Sequence, residues 1–365
     1  MDWRSLLFWL VAILAGAVIV VTLLSAIESS RWWIRVWDFP RFAIFTTGAA
    51  IFVAMLFIPA PGRLALLPLL GLALAFQLWN IFPYTPLASK QAEQARLEGD
   101  ERDRHCVTML SINVYMRNRD YDRTLALIEE IEPDILLLME TDDRWLSAMQ
   151  PALERYAHRF EAPLSNEYGK ILATNLAIES GHIVNLTDPG TPSAHAIMRT
   201  PGGKRFRLAA LHPRPPLPGD DTEARDAELI IAARLVRSSE LPAIVIGDFN
   251  DVGWSHTSRV ARRIGGYVDP RIGRGFYATF PASWPAFRWP LDHVFFTEDF
   301  ALIDMRIERP VGSDHLPVYA EICLSPELGE ALNEPAEPNS GDFEQMEETI
   351  NTYREDQIWS ADSEG

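Results

Sequence analysis

Cysteine is scarce in this sequence. Cys106 and Cys323 are the two in a chain of 365 residues, too few for a disulfide-built scaffold, so the core must come from hydrophobic burial. The soluble part holds no internal repeat, which excludes a solenoid or propeller. Positive charge is short as well. Lys and Arg total 33 against 50 Asp and Glu, for a formal net charge of −17. Such a chain does not offer the broad basic face used to hold duplex DNA. The deficit is uneven. Residues 327–365 have twelve acids and one base, Arg354, so −11 of the charge sits in an acidic tail, 325–365, that is expected not to fold. Residues 1–89 carry +2, which leaves −8 for residues 90–325.

What the first 89 residues have instead is long apolar runs, at about 6–27, 42–60 and 64–82. Runs near twenty residues match the hydrocarbon thickness of a bilayer. The first is too long for a signal-peptide core, and no small-x-small cleavage site follows it. Three transmembrane helices are therefore expected, forming a membrane domain over 1–89. Trp32, Trp33 and Trp37, with Trp79 and Tyr84, suit the headgroup zone. The runs contain no Asp, Glu, Lys or His, and so offer no transport path. Residues 90–104 are polar and charged, a linker or surface helix.

From 105 to 324 the pattern is that of an α/β domain. Strands are expected at 107–114, 134–139, 171–178, 194–200, 206–211, 243–246, 291–296 and 316–323, and helices at 121–131, 144–156 and 221–238. Nearly every strand has a polar, chemically capable residue at one end: Asn113, Glu140, His212, Asp248 with Asn250, Asp292, and Asp314 with His315. One such residue is ordinarily a turn former or helix cap. Six strands ending this way point to a site along one rim of a sheet.

The series SINV, LLLME, LHPRPP, GDFND, LDHVFF and GSDHLP, in this order, resembles the endonuclease/exonuclease/phosphatase superfamily. That superfamily includes deoxyribonuclease I, exonuclease III, the neutral sphingomyelinases and the inositol polyphosphate 5-phosphatases. GDFN together with SDH at the domain's end is a specific combination. The resemblance implies a four-layered α/β sandwich, two mixed sheets flanked by helices, and a metal-dependent hydrolase of phosphate esters using Mg²⁺ or Mn²⁺. It implies Glu140, Asn113 and Asp314 at the metal. Asp248 would orient or activate water, with Asn250, Asn113 and His212 on the phosphate. Asp292 would fix and charge His315, the general base or phosphate contact. Three apolar helices ahead of the domain resemble bacterial membrane members, which implies a multi-pass protein of the bacterial inner membrane. Many members carry Ser-Arg or Ser-Lys after the strand near 174, where this chain has Thr174-Asn175. A catalytically inactive, membrane-anchored binding module is the alternative; the presence of every expected catalytic side chain argues against it.

Residues 254–290 hold Arg259, Arg262, Arg263, Arg271, Arg274 and Arg288 against Asp269 alone, interleaved with aromatics that include Trp254, Phe276, Tyr277, Phe280, Trp284, Phe287 and Trp289. Such a loop can grip nucleic acid by charge and stacking, bind a phospholipid headgroup, or be a solvated basic face with aromatics packed on themselves. The expected partners are thus the lipid bilayer and a phosphate-ester substrate, nucleic acid or phospholipid; no protein partner can be inferred. Arg31, Arg35, Arg41, Lys90 and Arg96 fall on the domain's side of the membrane, against Arg4 and Arg63 opposite. Five against two favours the cytoplasmic face slightly. The resemblance implies antiparallel pairing of the first and last strands, which would bring Cys106 and Cys323 to the end away from the site. A disulfide there would mean an oxidising compartment, whereas two buried thiols would be neutral on the point.

Overall fold

A computed structural model describes residues 3–58 and 62–363. The N-terminal part comprises α1 (Trp3–Leu24), a short α2 (Trp32–Arg35), α3 (Arg41–Phe57) and α4 (Arg63–Ile81). Among the described residues, two segments, Ser5–Leu24 and Arg63–Tyr84, are long and apolar enough to cross a membrane, or three if the bent pair Trp32–Asp38 and Arg41–Phe57 makes one span. The middle one differs from expectation. Its helix has 17 residues, about 26 Å at 1.5 Å per residue, and it joins Trp32–Asp38 through a bend of 71°. The end of the expected 42–60 run falls on 59–61, outside the described residues. Val11, Ala15, Val18, Ile51, Met55 and Leu70 lock α1, α3 and α4 together.

The expected linker is not a free one. Ala92 is buried, Ala95 N donates to Leu302 O, and Gln94 pairs with Leu302, so the segment runs along a strand edge before α5 (Asp100–His105). Covering an edge in this way removes an open row of backbone donors and acceptors.

Twelve strands follow: β1 (Cys106–Asn113), β2 (Ile135–Met139), β3 (His158–Ala162), β4 (Lys170–Thr174), β5 (Ile178–Asn185), β6 (Pro192–Arg199), β7 (Arg205–Leu211), β8 (Ala243–Asp248), β9 (Tyr267–Val268), β10 (Asp292–Thr297), β11 (Phe300–Ile307) and β12 (Val318–Leu324). They form two six-stranded mixed sheets, ordered β11-β12-β1-β2-β4-β3 and β5-β6-β7-β8-β10-β9. β1 with β2 and β7 with β8 are parallel.

The apolar runs now have a cause. Strands covered on both faces need apolar residues at successive positions. In β2, Ile135, Leu137 and Met139 enter the core between the sheets, while Leu136 and Leu138 face α6 (Tyr121–Ile131) and α7 (Asp143–Leu153). In β8, Ile244 and Ile246 enter the same core. Ala243 and Val245 face α8 (Glu223–Arg237) and α9 (His256–Gly265). The result is the expected α/β sandwich of two mixed sheets flanked by helices.

The tail differs from the expectation of an unfolded segment. It forms α10 (Pro326–Leu332) and α11 (Ser340–Ser363). Met346 and Ile350 of α11 bury against the α8–α9 face, and Asp342 pairs with Arg263. Apolar residues at i and i+4 suffice to dock a helix whose other faces are acidic. The domain is also docked on the N-terminal helices. Phe39, Ile81 and Tyr84 pack with Val252, Trp254 and Leu291, and Trp254 Nε1 donates to Asp38 O at 2.7 Å.

Candidate active site

The topology carries the strand-end residues to one rim. Asn113 ends β1 and pairs in register with Met139, the residue before Glu140. His212 follows β7, and Asp248 ends β8 beside it in parallel. Antiparallel β10 starts at this same rim, with Asp292 opposite Asp248. Antiparallel β12 also starts there, so Asp314 and His315 arrive just before it. They are not on the strand itself, which begins at Val318 rather than 316. Pro317 has no N–H for the ladder, and the chain bends through residues 312–315.

Glu140, His212, Asp248, Asn250, Asp314 and His315 line one pocket of about 410 Å³. Asn113 and Asp292 are 1% and 2% exposed and stand behind this lining. His315 Nδ1 and Asp292 Oδ2 are 2.8 Å apart. The other ring nitrogen, Nε2, lies 3.5 Å from Asp248 Oδ2, and His212 Nε2 lies 3.8 Å from the same oxygen. Asp248 Oδ1 accepts from Asn250 N at 2.9 Å. Asn113 Nδ2 donates to Glu140 at 2.8 Å and to Asp248 at 3.1 Å, while its Oδ1 accepts from Tyr115 N. Asn113 thus turns its amide donor toward the acids, and the oxygen a cation would use is engaged with the backbone.

The backbone is unusual here. Glu140 and Asn250, neither of them glycine, have φ of 61° and 48°, a conformation held only where surrounding structure enforces it. Gly247 explains how the two sheet strands meet. Its φ is 139°, and a Cβ there would lie 1.9 Å from Leu211 O.

Electrostatics divides the groups. Burial opposes charge on His315, but Asp292 and Asp248 outweigh it and hold its pKa up at about 10. Burial pushes Asp248 up to about 7 against the pull of His315. Burial also raises Glu140 and Asp314, and drives His212 well below the ordinary imidazole value. The site therefore holds one charged and one neutral imidazole at neutral pH.

A divalent cation fits this chemistry. Four carboxylates crowd one rim, and buried Asp292 Oδ1 has no hydrogen-bond partner. Donor atoms of Asp248, Asp292 and His315 lie within 4.8 Å of one another. Hard oxygen donors around a buried negative centre suit Mg²⁺ or Mn²⁺.

A profile of the endonuclease/exonuclease/phosphatase family matches residues 110–315. The chain belongs to this family. Among solved structures, it is similar to a family protein from Bacteroides thetaiotaomicron, at 19% identity over 61% of this chain and 99% of that one, with a TM-score of 0.50. It is also similar to D. rerio TDP2 complexed with single-strand DNA product (14% identity, 60% and 98% coverage, TM-score 0.49). The human Nocturnin catalytic domain with bound sulfate is another likeness (17% identity, 64% and 98% coverage, TM-score 0.47). No curated protein sequence matches the chain. At these identities the likeness shows the fold.

Within this family site, the structure adds residues that the strand-end pattern does not single out. Ser313 Oγ donates to Asn113 O and accepts from His315 N, tying the last loop to β1. Phe280 packs on His315 and Tyr168 on His212, with ring centroids 4.8 and 5.5 Å apart. Val36, Trp37, Phe39 and Pro40, from the N-terminal helical part, wall the pocket. Thr174-Asn175 lies at the far rim, since Thr174 pairs with Ile135 at the start of β2. The departure there does not touch the site. The arginine-rich loop is largely internal. Arg271 is fully buried on Asp269, Arg263 binds Asp342, and Arg274 and Arg288 donate to backbone carbonyls.

Proposed function

We propose that this protein is a membrane-anchored phosphoesterase that hydrolyses a phosphodiester or phosphomonoester with the aid of Mg²⁺ or Mn²⁺. One observation carries the reading: Glu140, His212, Asp248, Asn250, Asp314 and His315, from strand ends of both sheets, line one pocket, with Asn113 and Asp292 buried behind them. Glu140 and Asp314 would hold the cation, and Asn113 orients Glu140 and Asp248. When bound, the cation offsets charge on the phosphoryl oxygens and leaving group. Asp248, fixed through Oδ1 by Asn250 N, receives a proton from the attacking water, which approaches in line. His315, kept charged by Asp292, supports the developing negative charge. His212 and Asn250 contact the phosphate.

The substrate reading best supported is a phosphorylated membrane lipid. One pocket wall comes from the membrane part. The loop 280–289, whose ends line the pocket, carries Trp284 and Phe287 at 64% and 54% exposed. Exposed aromatics at such a mouth suit a bilayer surface. Nucleic acid is the second reading, supported by Arg and aromatic content alone. The test compares phospholipid vesicles with single-stranded DNA and bis-p-nitrophenyl phosphate, each with and without Mg²⁺. Metal-dependent release of phosphate or headgroup from vesicles supports the proposal. DNA cleavage without lipid turnover would favour nucleic acid.

We further propose that the domain lies on the oxidising side of its membrane, the outer face of an inner membrane if bacterial. Support comes from the Cys106–Cys323 disulfide, which joins directly paired positions of β1 and β12. The charge count points the other way. A disulfide is a covalent consequence of the compartment, whereas the count is a bias over few residues.

A further inference from the structure

Behind the wall that residues 35–41 present to the active site lies a larger cavity, of about 690 Å³. The segment divides its side chains between the two. Trp37, Phe39 and their neighbours line the catalytic pocket, while Arg35, Asp38 and Arg41 line the other. Helix α4 bounds this second cavity on one side, through Phe76 and Trp79; α9 bounds it on the other, through Arg259 and Arg262.

Its charges do not balance. Four arginines meet Asp38 and Glu28. Asp38 is engaged by Arg35 at 2.8 Å and Arg41 at 2.6 Å, Arg35 also lies 3.7 Å from Asp251 and 3.9 Å from Asp226, and Glu28 lies 3.3 Å from His256. Arg259 donates to Asn80 Oδ1 and Trp254 O, both uncharged. Arg262 is 7% exposed and has no ion pair at 4 Å or less among the described residues; its Nε, like those of Arg35 and Arg41, is buried without an acceptor. Burial, reinforced by Arg41, lowers the pKa of Arg259. A buried guanidinium without an anion is unfavourable, and Arg262, with the half-buried Arg259 beside it, faces an open volume large enough to admit one.

We propose that this cavity binds the phosphate group of an anionic membrane lipid, with Arg259 and Arg262 as its main contacts. Phosphate suits paired guanidinium donors, which grip two oxygens at once. The lipid, rather than a free anion, follows from the walls. The cavity is lined by consecutive turns of α4, whose Trp79 is 80% exposed at the level where the span ends. A headgroup on the arginines would leave its acyl chains running along that helix. Basic pockets between membrane helices hold anionic headgroups for this reason. The inference rests on α1 and α4 being embedded in a bilayer, which reporter fusions test separately.

The experiment is native mass spectrometry of the full chain in neutral detergent, with phosphatidylglycerol, phosphatidylcholine or inorganic phosphate added. The wild type should retain one phosphatidylglycerol at concentrations where phosphatidylcholine leaves no adduct. The Arg259→Gln/Arg262→Gln variant should need at least roughly ten-fold more phosphatidylglycerol. Arg259→Lys, which keeps the charge, should retain it and serves if the double variant does not fold. Equal retention of the two lipids, or undiminished binding by a folded double variant, overturns the proposal. Displacement of the lipid by millimolar inorganic phosphate would make this a soluble-anion site and overturn the lipid assignment.

Discussion

Asp292→Asn is the sharpest perturbation of the proposed chemistry. The carboxylate meets His315 Nδ1 at 2.8 Å, with side chains 2% and 5% exposed. An amide can still offer its oxygen to the ring. It must then place its NH₂ where Oδ1 sits, a buried position with no partner. The variant loses the charge and buries an unsatisfied donor. Breaking a buried pair by removing one charge costs about 3–5 kcal/mol, or roughly a 10²- to 10⁴-fold loss of rate if felt in the transition state. Steady-state hydrolysis of bis-p-nitrophenyl phosphate with saturating Mg²⁺ reads this directly. His315→Ala should lose as much or more, and the double variant should be little worse than His315→Ala alone. The pH profile adds a second readout. With Asp292 gone, His315 loses the foremost of the carboxylates that hold its pKa at about 10, so the alkaline limb of activity should move to lower pH. Independent, multiplying losses and an unmoved alkaline limb would refute the claim that Asp292 acts through His315.

Three further outcomes are expected. Gly247→Ala should unfold at markedly lower temperature, by several degrees per kcal/mol, because the added methyl would meet Leu211 O at 1.9 Å with φ at 139°; unchanged thermal unfolding would contradict the close approach of β7 and β8. His195 is held neutral by burial, with its pKa lowered to about 4. The folded value lies below the ordinary unfolded one near 6.5, so stability is intact above that pH and falls as pH drops toward 4 by up to roughly 3 kcal/mol; His195→Gln should lose less stability than wild type over this range in thermal melts. C-terminal alkaline-phosphatase fusions should be active and fluorescent-protein fusions dark, with Cys106 and Cys323 running as an oxidised bridge on non-reducing gels; the opposite pattern would place the domain in the cytoplasm.

Much of the site was legible because strand ends are where sequence pattern and chemistry coincide. A buried run such as ILLLM stops abruptly at Glu140, and the topology then brings such ends together. The edge strands were not legible. β3 and β5 are exposed along much of their length, and β11 carries an irregularity between Leu302 and Asp304 that breaks its alternation. The tail helix was hidden by its acidity, although Met346 and Ile350 have helical spacing. The pocket wall was out of reach for another reason. Trp37 reads as a headgroup-zone residue, and only a contact between parts far apart in the chain sets its neighbour Phe39 against Val252 and Leu291. The arginine-rich loop showed its charge but not that Asp269 and Asp342 would take up Arg271 and Arg263.

The central claim is metal-assisted phosphoester hydrolysis at the rim where Glu140 stands, and one measurement addresses it most directly. Hydrolysis of bis-p-nitrophenyl phosphate by the full chain is followed across a Mg²⁺ titration, for wild type and Glu140→Gln, with circular dichroism to establish that both are folded. The wild type should be silenced by EDTA and restored by Mg²⁺. Glu140→Gln should be slower by roughly a thousand-fold or more, reflecting several kcal/mol of lost transition-state stabilisation. Activity in Glu140→Gln equal to wild type and resistant to EDTA would contradict the account.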